Sequence, residues 1–402
     1  MVEGTDPGAL GSGDFTATDA LVADPNNPDR VYYGGNAGFG YIENGELMEN
    51  VGDGLPSNPV GDIAVAVDGS YMLVAMGNGR VYRSSGSDFE SFSSVSGSGG
   101  SLLPQSGLSR ARVDISPDDA NHAYALYANS QRLFGGLYHS SDGGFTWEEI
   151  WPDGLDELTP LPRAQGVYDL ALGVVKGNPE LAYVGGIEIW RSGPAQQAEQ
   201  AAFAFDFPGT NFDVHADVHE IIFTPGGVMY VATDGGLYKS LDAGETYIEC
   251  NRDFSVTQFY GIDHSARSAV LGGTQDNGSL FIPANGTFLS DQEAIEVNGG
   301  DGFDCAISQI TDTPDGTTAW LATSQNGGLV RGNIAPGNFN NYGNFWDEDI
   351  LELVNESGEV GQFYSVVRLY ENTDDPDTQR EVILVNPHGV TVTDSTFTLN
   401  TS

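Results

Sequence analysis

The segment His215-Ala-Asp217-Val-His219 brings together residue types that can bind a metal ion or transfer a proton. Alternate side chains of an extended strand point to the same face, so these three side chains are expected on one side. Two imidazoles and a carboxylate on one face could ligate Zn²⁺ or another divalent cation. The alternative is an innermost strand whose polar side chains line a central channel. We favour the lining, because no further Cys/His cluster stands nearby to complete a coordination shell.

Two further aspartates, Asp276 and Asp301, stand in the glycine-rich segments 272–278 and 299–302. If they converge with Asp217 on one face, they could supply the two carboxyl groups that a glycosidase needs. Aspartates before glycine also stabilise turns through their own backbone, and we favour this structural role, so no catalytic residue is assigned. The candidate ligand-binding residues are His215, Asp217, His219, Tyr260, Gln275, Asp276 and Asn277.

A turn motif, S-x-D-x-G-x-T-[WY], occurs in segments 135–147 and 235–247. The carboxylate can accept hydrogen bonds from N–H groups of its own turn, and the glycine allows a positive φ. The terminal aromatic residue can pack between neighbouring sheets. These properties predict a structural role for the motif residues, which are Ser140, Asp142, Gly144 and Trp147 in one copy and Ser240, Asp242, Gly244 and Tyr247 in the other.

This motif resembles the Asp-box, or BNR repeat. Together with segments 215–219, 272–278 and 299–302, it makes residues 105–310 similar to bacterial sortilin-type Asp-box propellers and to glycosyl-hydrolase-like BNR-repeat proteins. The resemblance implies a β-propeller whose Asp-boxes stabilise hairpins away from any active site. It also implies secretion and multidomain architecture, without implying an activity.

Units of short β-forming runs, separated by Gly/Asp turns, open near positions 19, 61, 112, 167, 217, 258, 303 and 362. A period of about 50 residues is typical of four-stranded propeller blades. We therefore predict an all-β protein with a single propeller over residues 16–402, built from eight four-stranded antiparallel blades. Seven blades result if the first or last unit is incomplete. Residues 1–15 are predicted to be a flexible linker.

The chain is strongly acidic, with 15 Lys and Arg against 57 Asp and Glu and a formal net charge of -42. Such a surface repels nucleic acid and anionic membranes. Adaptation to a saline setting is the favoured explanation, and capture of Ca²⁺ by Asp-rich loops is the alternative; no other cofactor is expected. No apolar run is long enough to span a bilayer. Cys250 and Cys305 are expected to be free thiols rather than a disulfide.

Taken together, these features favour an extracellular or cell-surface binding or scaffold module that contacts a protein or a glycan. The Gly/Ser/Asp-rich start has no signal-peptide core and favours a domain excised from a larger chain or assembly. One alternative is a glycan-active enzyme, either a glycoside hydrolase or a polysaccharide lyase, with a central carboxylate and histidine site. A second alternative is a structural subunit of a surface assembly.

Added salt should stabilise this protein near neutral pH, because screening relieves the mutual repulsion of a surface with net charge -42. Thermal midpoints measured in NaCl and in CaCl₂ at matched ionic strength separate screening from specific calcium sites. A melting curve that neither salt moves upward would contradict the acidic-surface argument.

Overall fold

The computed structural model describes residues 18–49, 51–97, 102–151, 165–203, 214–251, 257–266, 269–282, 294–309, 318–325, 328–334, 364, 366–371 and 380–385. The predicted linker, residues 1–15, lies outside these ranges. The chain divides into two compact units, residues 1–253 and residues 254–402. Each unit is described by itself.

The first unit contains five four-stranded antiparallel sheets, each formed by four consecutive strands in sequence order. Its strands are β1 (Thr18–Ala23), β2 (Arg30–Gly35), β3 (Gly38–Glu43), β4 (Glu46–Glu49), β5 (Val60–Val65), β6 (Met72–Met76), β7 (Val81–Ser84), β8 (Phe92–Ser94), β9 (Leu108–Ile115), β10 (Ala123–Asn129), β11 (Phe134–Ser140), β12 (Glu148–Trp151), β13 (Ala171–Val174), β14 (Ala182–Gly185), β15 (Ile189–Gly193), β16 (Gln196–Ala202), β17 (Val218–Phe223), β18 (Met229–Thr233), β19 (Gly236–Ser240) and β20 (Ile248–Glu249). The first strands of consecutive sheets pack against one another, as the innermost strands of propeller blades do.

The second unit contains three sheets, with four, three and two strands among its described residues. Its strands are β21 (Phe259–His264), β22 (Val270–Thr274), β23 (Ser279–Ile282), β24 (Ile295–Asn298), β25 (Cys305–Ile307), β26 (Thr318–Thr323), β27 (Leu329–Ile334), β28 (Val366–Glu371) and β29 (Arg380–Val385). No α-helix occurs in the described ranges of either unit, so none there could cross a membrane. The protein is an all-β propeller, as predicted, and its eight sheets follow the eight predicted units in order.

The fourth blade begins later than the sequence pattern predicts. Its first strand starts at Ala171, whereas the predicted opening was Val167. Residues 165–169 instead form a turn, in which the Gln165 carbonyl accepts hydrogen bonds from the N–H groups of Tyr168 and Asp169. This turn places polar side chains beside the fifth blade.

The two Asp-box turns have the same hydrogen-bond pattern. Asp142 Oδ1 accepts the Thr146 N–H at 2.8 Å, and Asp142 Oδ2 accepts the Thr146 hydroxyl at 2.7 Å. The corresponding distances from Asp242 to Thr246 are 2.9 and 2.6 Å. The aromatic residue that ends each motif, Trp147 or Tyr247, lies buried in a hydrophobic cluster with residues of the preceding blade. The turn thus fixes the hairpin whose aromatic residue packs two blades together.

Carboxylates on innermost strands link consecutive blades. Asp62 Oδ2 accepts the Val113 N–H at 2.9 Å, and Asp114 Oδ2 accepts the Val174 N–H at 2.7 Å. In the second unit, Asp263 and Asp304 make the same kind of bond to the next blade, with distances of 2.9 and 3.1 Å. Edge N–H groups that would otherwise be buried without a partner are satisfied in this way.

The two cysteines, Cys250 and Cys305, are free thiols in different units. Burial raises the pKa of the Cys305 thiol to about 12, so it stays protonated and unreactive at neutral pH. Its packing among β22 and β26 residues is structural.

Replacing Asp142 or Asp242 with alanine should lower the free energy of unfolding by about 1–3 kcal/mol, because each change removes a set of charge-assisted hydrogen bonds. Denaturant unfolding of each variant measures this loss. Any ligand binding should survive at permissive temperature. Loss of binding at unchanged stability would instead place the Asp-box in a functional site.

Candidate functional site

The segment that contains His215, Asp217 and His219 is not one extended strand. Strand β17 begins at Val218, and Asp217 has a positive φ of 62°. The chain therefore turns sharply before the strand, and the alternation that would place all three side chains on one face does not extend over the segment. Only His219 belongs to the innermost strand.

Each of the three side chains has its own polar partner. His215 Nδ1 lies 3.1 Å from the Ala216 carbonyl oxygen. Asp217 Oδ1 accepts a hydrogen bond from the Gln165 amide at 2.7 Å. His219 Nε2 lies 2.5 Å from Asp234 Oδ1 in the turn after β18. Across the described ranges, no group of three or more His, Cys, Asp or Glu side chains could hold a metal ion.

The 165–169 turn completes the site, which we call the rim site and define as Gln165, Tyr168, Asp169, Asp217, His219 and Asp234. The Gln165 amide donates to Asp169 Oδ2 at 3.0 Å as well as to Asp217. The Tyr168 hydroxyl donates to Asp234 Oδ2 at 2.7 Å, and its ring meets the His219 ring edge-to-face at 5.0 Å. Contacts between neighbouring blades thus join Gln165 to Asp217, 52 positions further along the chain, and Tyr168 to Asp234, 66 positions further along.

Two arginines of β9 position the 165–169 turn. Arg110 Nη1 donates to the carbonyl oxygens of Val167 and Tyr168 at 2.9 and 3.0 Å. Arg112 Nε donates to the Leu170 carbonyl at 2.7 Å. These bonds hold the backbone of the turn and leave its side chains directed toward the fifth blade or solvent.

Sequence reasoning missed Asp169, Tyr168 and Asp234 as members of this site. The segment 165–169 contains the predicted opening of the fourth unit near position 167, and Asp234 precedes Gly235 as in other Gly/Asp turns of the chain. Neither signal indicates that the two turns meet in space. That contact depends on the packing of the fourth blade against the fifth.

Burial and mutual repulsion dominate the electrostatics of the rim site. Burial, together with the adjacent Asp217 carboxyl, raises the pKa of Asp169 to about 7. The pKa of Asp217 is also raised, first by burial and then by the charge of Asp234. The hydrogen bond to Asp234 raises the pKa of His219. Burial opposes ionisation of Asp234, but its bonds to His219 and Tyr168 keep its pKa below the ordinary value.

A second acidic feature of the first unit is a cavity of about 200 Å³ between its innermost strands. Asp62, Arg112, Asp114 and Glu220 contribute its charged lining. Burial raises the pKa values of Asp114 and Glu220 to about 7 each. Glu220 is a solvent-exposed residue. The protein that lines the cavity still removes part of the water around its carboxyl group, and this partial desolvation disfavours the charged form. Arg112 Nη1 lies 3.5 Å from Asp62 Oδ1 and offsets part of the negative charge.

In the second unit, Asp301 holds the turn that carries Asp276. Asp301 is buried; its Oδ1 accepts the Asp276 N–H at 3.0 Å, and its Oδ2 accepts the Gln325 amide at 2.9 Å. Asp276 itself has a positive φ of 57°. This geometry supports the turn-stabilising role over an acid–base role for Asp301. The proposed convergence of both residues with Asp217, which belongs to the first unit, stays a prediction.

The other predicted binding residues of the second unit surround the same turn. The Gln275 N–H donates to the Gln258 carbonyl at 2.9 Å, and the Asn277 amide donates to the Gln275 carbonyl at 3.1 Å. Tyr260 is partly exposed and contacts the buried Phe303 ring, with a centroid distance of 5.1 Å. The segment offers the exposed aromatic side chains of Phe259 and Tyr260 beside a hydrogen-bonded polar turn.

Neither a protein-family model nor a curated protein sequence matches this chain. Solved structures with a similar fold include YCF48 bound to a D1 peptide, with 12% identity, a TM-score of 0.34 and coverage of 81% of this chain and 90% of that chain. The β-propeller domain of Cps50 (Swd1) from Myceliophteria thermophila has 9% identity, a TM-score of 0.39 and coverage of 79% and 96%. A chain of the nidogen/laminin complex has 12% identity, a TM-score of 0.40 and coverage of 58% and 78%. At these identities the likeness concerns the fold.

Replacing His219 with alanine should destabilise the protein more at pH 6 than at pH 9. Pairing with Asp234 raises the pKa of His219, so its stabilisation is fully present below the pKa of the unfolded chain and is lost as pH rises through the folded value. The loss at pH 6 should reach about 1 kcal/mol, the upper end for partly solvated pairs. Denaturant unfolding at both pH values checks this, with the exposed His264→Ala variant as control.

If His215, Asp217 and His219 have only a structural role, protein purified without chelator should carry no stoichiometric transition metal. Elemental analysis of the wild type and of His219→Ala tests this. Stoichiometric zinc in the wild type that is lost in the variant would contradict the structural interpretation and favour the enzyme hypothesis.

Proposed function

We propose that this protein is an extracellular or cell-surface β-propeller module that binds a protein or glycan partner through the loops of its rim site. The observation that carries the proposal is the difference in exposure among the side chains of the 165–169 turn. Its charged side chain, Asp169, is completely buried, whereas Val167 and Tyr168 are 42% and 47% exposed. Hydrogen bonds to β9 and to the fifth blade hold the turn in place. A fixed turn with an exposed aromatic tip is typical of a recognition loop.

The net charge of -42 supports partners with neutral or basic surfaces over nucleic acid and anionic membranes. The repeated Asp-box turns support a relationship to sortilin-type and BNR-repeat propellers, and with it a secreted setting. The acidic loops are the candidate sites for Ca²⁺, and the matched-salt titration distinguishes calcium binding from screening. If the partner is bound permanently, the protein acts as a structural subunit of a surface assembly.

A glycan-active enzyme is a second candidate, favoured by the raised pKa values of Asp114 and Glu220 around the cavity and of Asp169 in the rim site. One geometry speaks against a glycosidase at the rim. The Asp169 and Asp217 carboxyls both accept from one Gln165 amide, which occupies the space between them, whereas glycosidases separate their two carboxyls by roughly 5–9.5 Å to admit the sugar or a water. This arrangement does not oppose a lyase that uses Tyr168 or His219.

The test is binding to a printed panel of polysaccharides and purified extracellular proteins. Wild-type protein should bind at least one component, and Tyr168→Ala should weaken that binding by tenfold or more, as expected for an aromatic hot spot. Phe145→Ala, which removes an exposed aromatic residue from an Asp-box hairpin, is the matched control and should bind normally. Binding that is equally strong in wild type and Tyr168→Ala would contradict the rim-site proposal.

The same polysaccharides also test the enzyme alternative. Release of reducing ends indicates hydrolysis, and formation of unsaturated products indicates lyase action. The binding-module proposal expects neither product. Turnover that is abolished by Asp217→Asn or by Glu220→Gln would replace the binding module with an enzyme and locate the chemistry at the rim site or at the cavity.

A further inference from the structure

Asp169 is a buried carboxyl group with one oxygen that has no donor. Its exposed surface is 0%, and its Oδ2 accepts the Gln165 amide. Among the residues that the structure describes, Oδ1 has no hydrogen-bond partner. An ionised carboxylate in this position would keep a desolvated charge on an atom that nothing stabilises. The geometry therefore disfavours the ionised form of Asp169.

The nearest acidic neighbour supplies an acceptor rather than a donor. The Asp217 carboxyl adjoins that of Asp169, because both accept from the same Gln165 amide nitrogen, Asp217 Oδ1 at 2.7 Å and Asp169 Oδ2 at 3.0 Å. Two adjacent carboxylates cannot both ionise cheaply, as two-carboxyl sites show in general. A proton on Asp169 would turn its carboxyl group into a donor to the Asp217 carboxylate.

The positively charged side chains near the two carboxyl groups have their described hydrogen bonds to other acceptors. Arg110 of β9 donates to the carbonyls of Val167 and Tyr168, and burial together with Arg112 lowers its pKa to about 10. His219 of β17 pairs with Asp234. His215 and His219 lower the pKa of Asp217 through their charge, whereas Asp234 raises it. These charges modulate the pair, but the described hydrogen bonds of Arg110 and His219 go to other acceptors.

We propose that Asp169 and Asp217 share one proton at neutral pH and that this proton locks the 165–169 turn onto the fifth blade. Asp169 holds the proton and donates it in a hydrogen bond to the Asp217 carboxylate. The pKa of about 7 for Asp169, set by burial and by Asp217, agrees with this assignment. Loss of the proton would leave two adjacent anions and push the turn away from the fifth blade.

The lock makes the rim site sensitive to pH, whatever it binds. The folded pKa of Asp169 is raised from an ordinary value of 3.8, so the folded chain holds a proton that the unfolded chain has lost between these values. The stabilisation from the shared proton is complete below the unfolded pKa and is lost as pH rises toward 7. Above neutral pH the turn loses this contact with the fifth blade, while its bonds to Arg110 and the Tyr168–Asp234 bond persist.

Carbon-detected NMR of protein labelled at the aspartate carboxyl carbon tests the shared proton directly. A carboxyl signal distinct from that of Asp114 should titrate near pH 7 and should disappear in Asp169→Asn. The signal that disappears in Asp217→Asn identifies the carboxyl of the other member of the pair. If the signals of Asp169 and Asp217 both titrate below pH 5, the two groups are ionised at neutral pH and the proposal is wrong.

Unfolding experiments from pH 4 to pH 8 test the lock. Asparagine can donate an N–H to Asp217 at any pH, so Asp169→Asn should flatten the pH dependence of stability by about one proton relative to wild type. Asp169→Ala cannot donate and should unfold more readily than Asp169→Asn at every pH. Asp68→Asn, at a surface turn where a neighbouring Ser70 lowers the carboxyl pKa, is the matched control and should not flatten the curve. Equal stability of the alanine and asparagine variants would overturn the lock.

Discussion

Hydrogen bonding between an aspartate carboxylate and backbone N–H groups is the interaction on which this protein's blades depend. It occurs within the Asp-box turns, where Asp142 and Asp242 hold the hairpin that carries Trp147 or Tyr247. It occurs again between blades, where Asp62, Asp114, Asp263 and Asp304 accept N–H groups of the next innermost strand. A sheet that ends in an unpaired edge needs such acceptors, because a buried N–H without a partner is costly.

This use of carboxylates brings negative charges together in a chain that has few basic residues to offset them. With 57 acidic and 15 basic residues, most acidic groups have no basic partner. Backbone N–H groups offset part of the charge of the interior carboxylates, and protonation offsets another part. The cavity shows the balance: Arg112 lies beside Asp62, whereas burial brings the pKa values of Asp114 and Glu220 to about 7. The acidic interior and the raised pKa values of these carboxyl groups therefore have one physical origin, the loss of water around a charge.

The rim site combines a fixed frame with an exposed tip. Arginines of the third blade hold the backbone of the 165–169 turn, and polar groups of the fifth blade hold its side chains. Such a frame reduces the conformational entropy that a loop loses on binding, which is one reason why propellers carry recognition loops between blades. The same frame brings Asp169 and Asp217 to one Gln165 amide, so a single short turn carries both the proposed recognition loop and the proposed shared proton.

The sequence by itself determined the repeating unit. Short β-forming runs with Gly/Asp turns at a period near 50 residues lead to stacked four-stranded sheets, because strand alternation and turn chemistry are local properties. The Asp-box turns could be predicted for the same reason, since their hydrogen bonds join residues only a few positions apart. The start of the fourth blade could not, because the Val167 region is apolar and reads as a strand, while the bonds that bend it come from Arg110 on another blade.

Only the tertiary structure decided which polar residues form a site. Alternation predicted His215, Asp217 and His219 on one face of a strand, but a positive φ at Asp217 ends the extended conformation before Val218, and periodicity does not encode a single left-handed residue. The partners of these residues, Gln165 and Asp234, stand 52 positions and 15 positions away in the chain. The pairing of Asp169 with Asp217 depends on how two blades pack, and the pKa of Asp169 depends on the burial that this packing creates. Distances between blades and the loss of water around a charge arise only when the chain is folded, and they set the chemistry of these carboxyl groups.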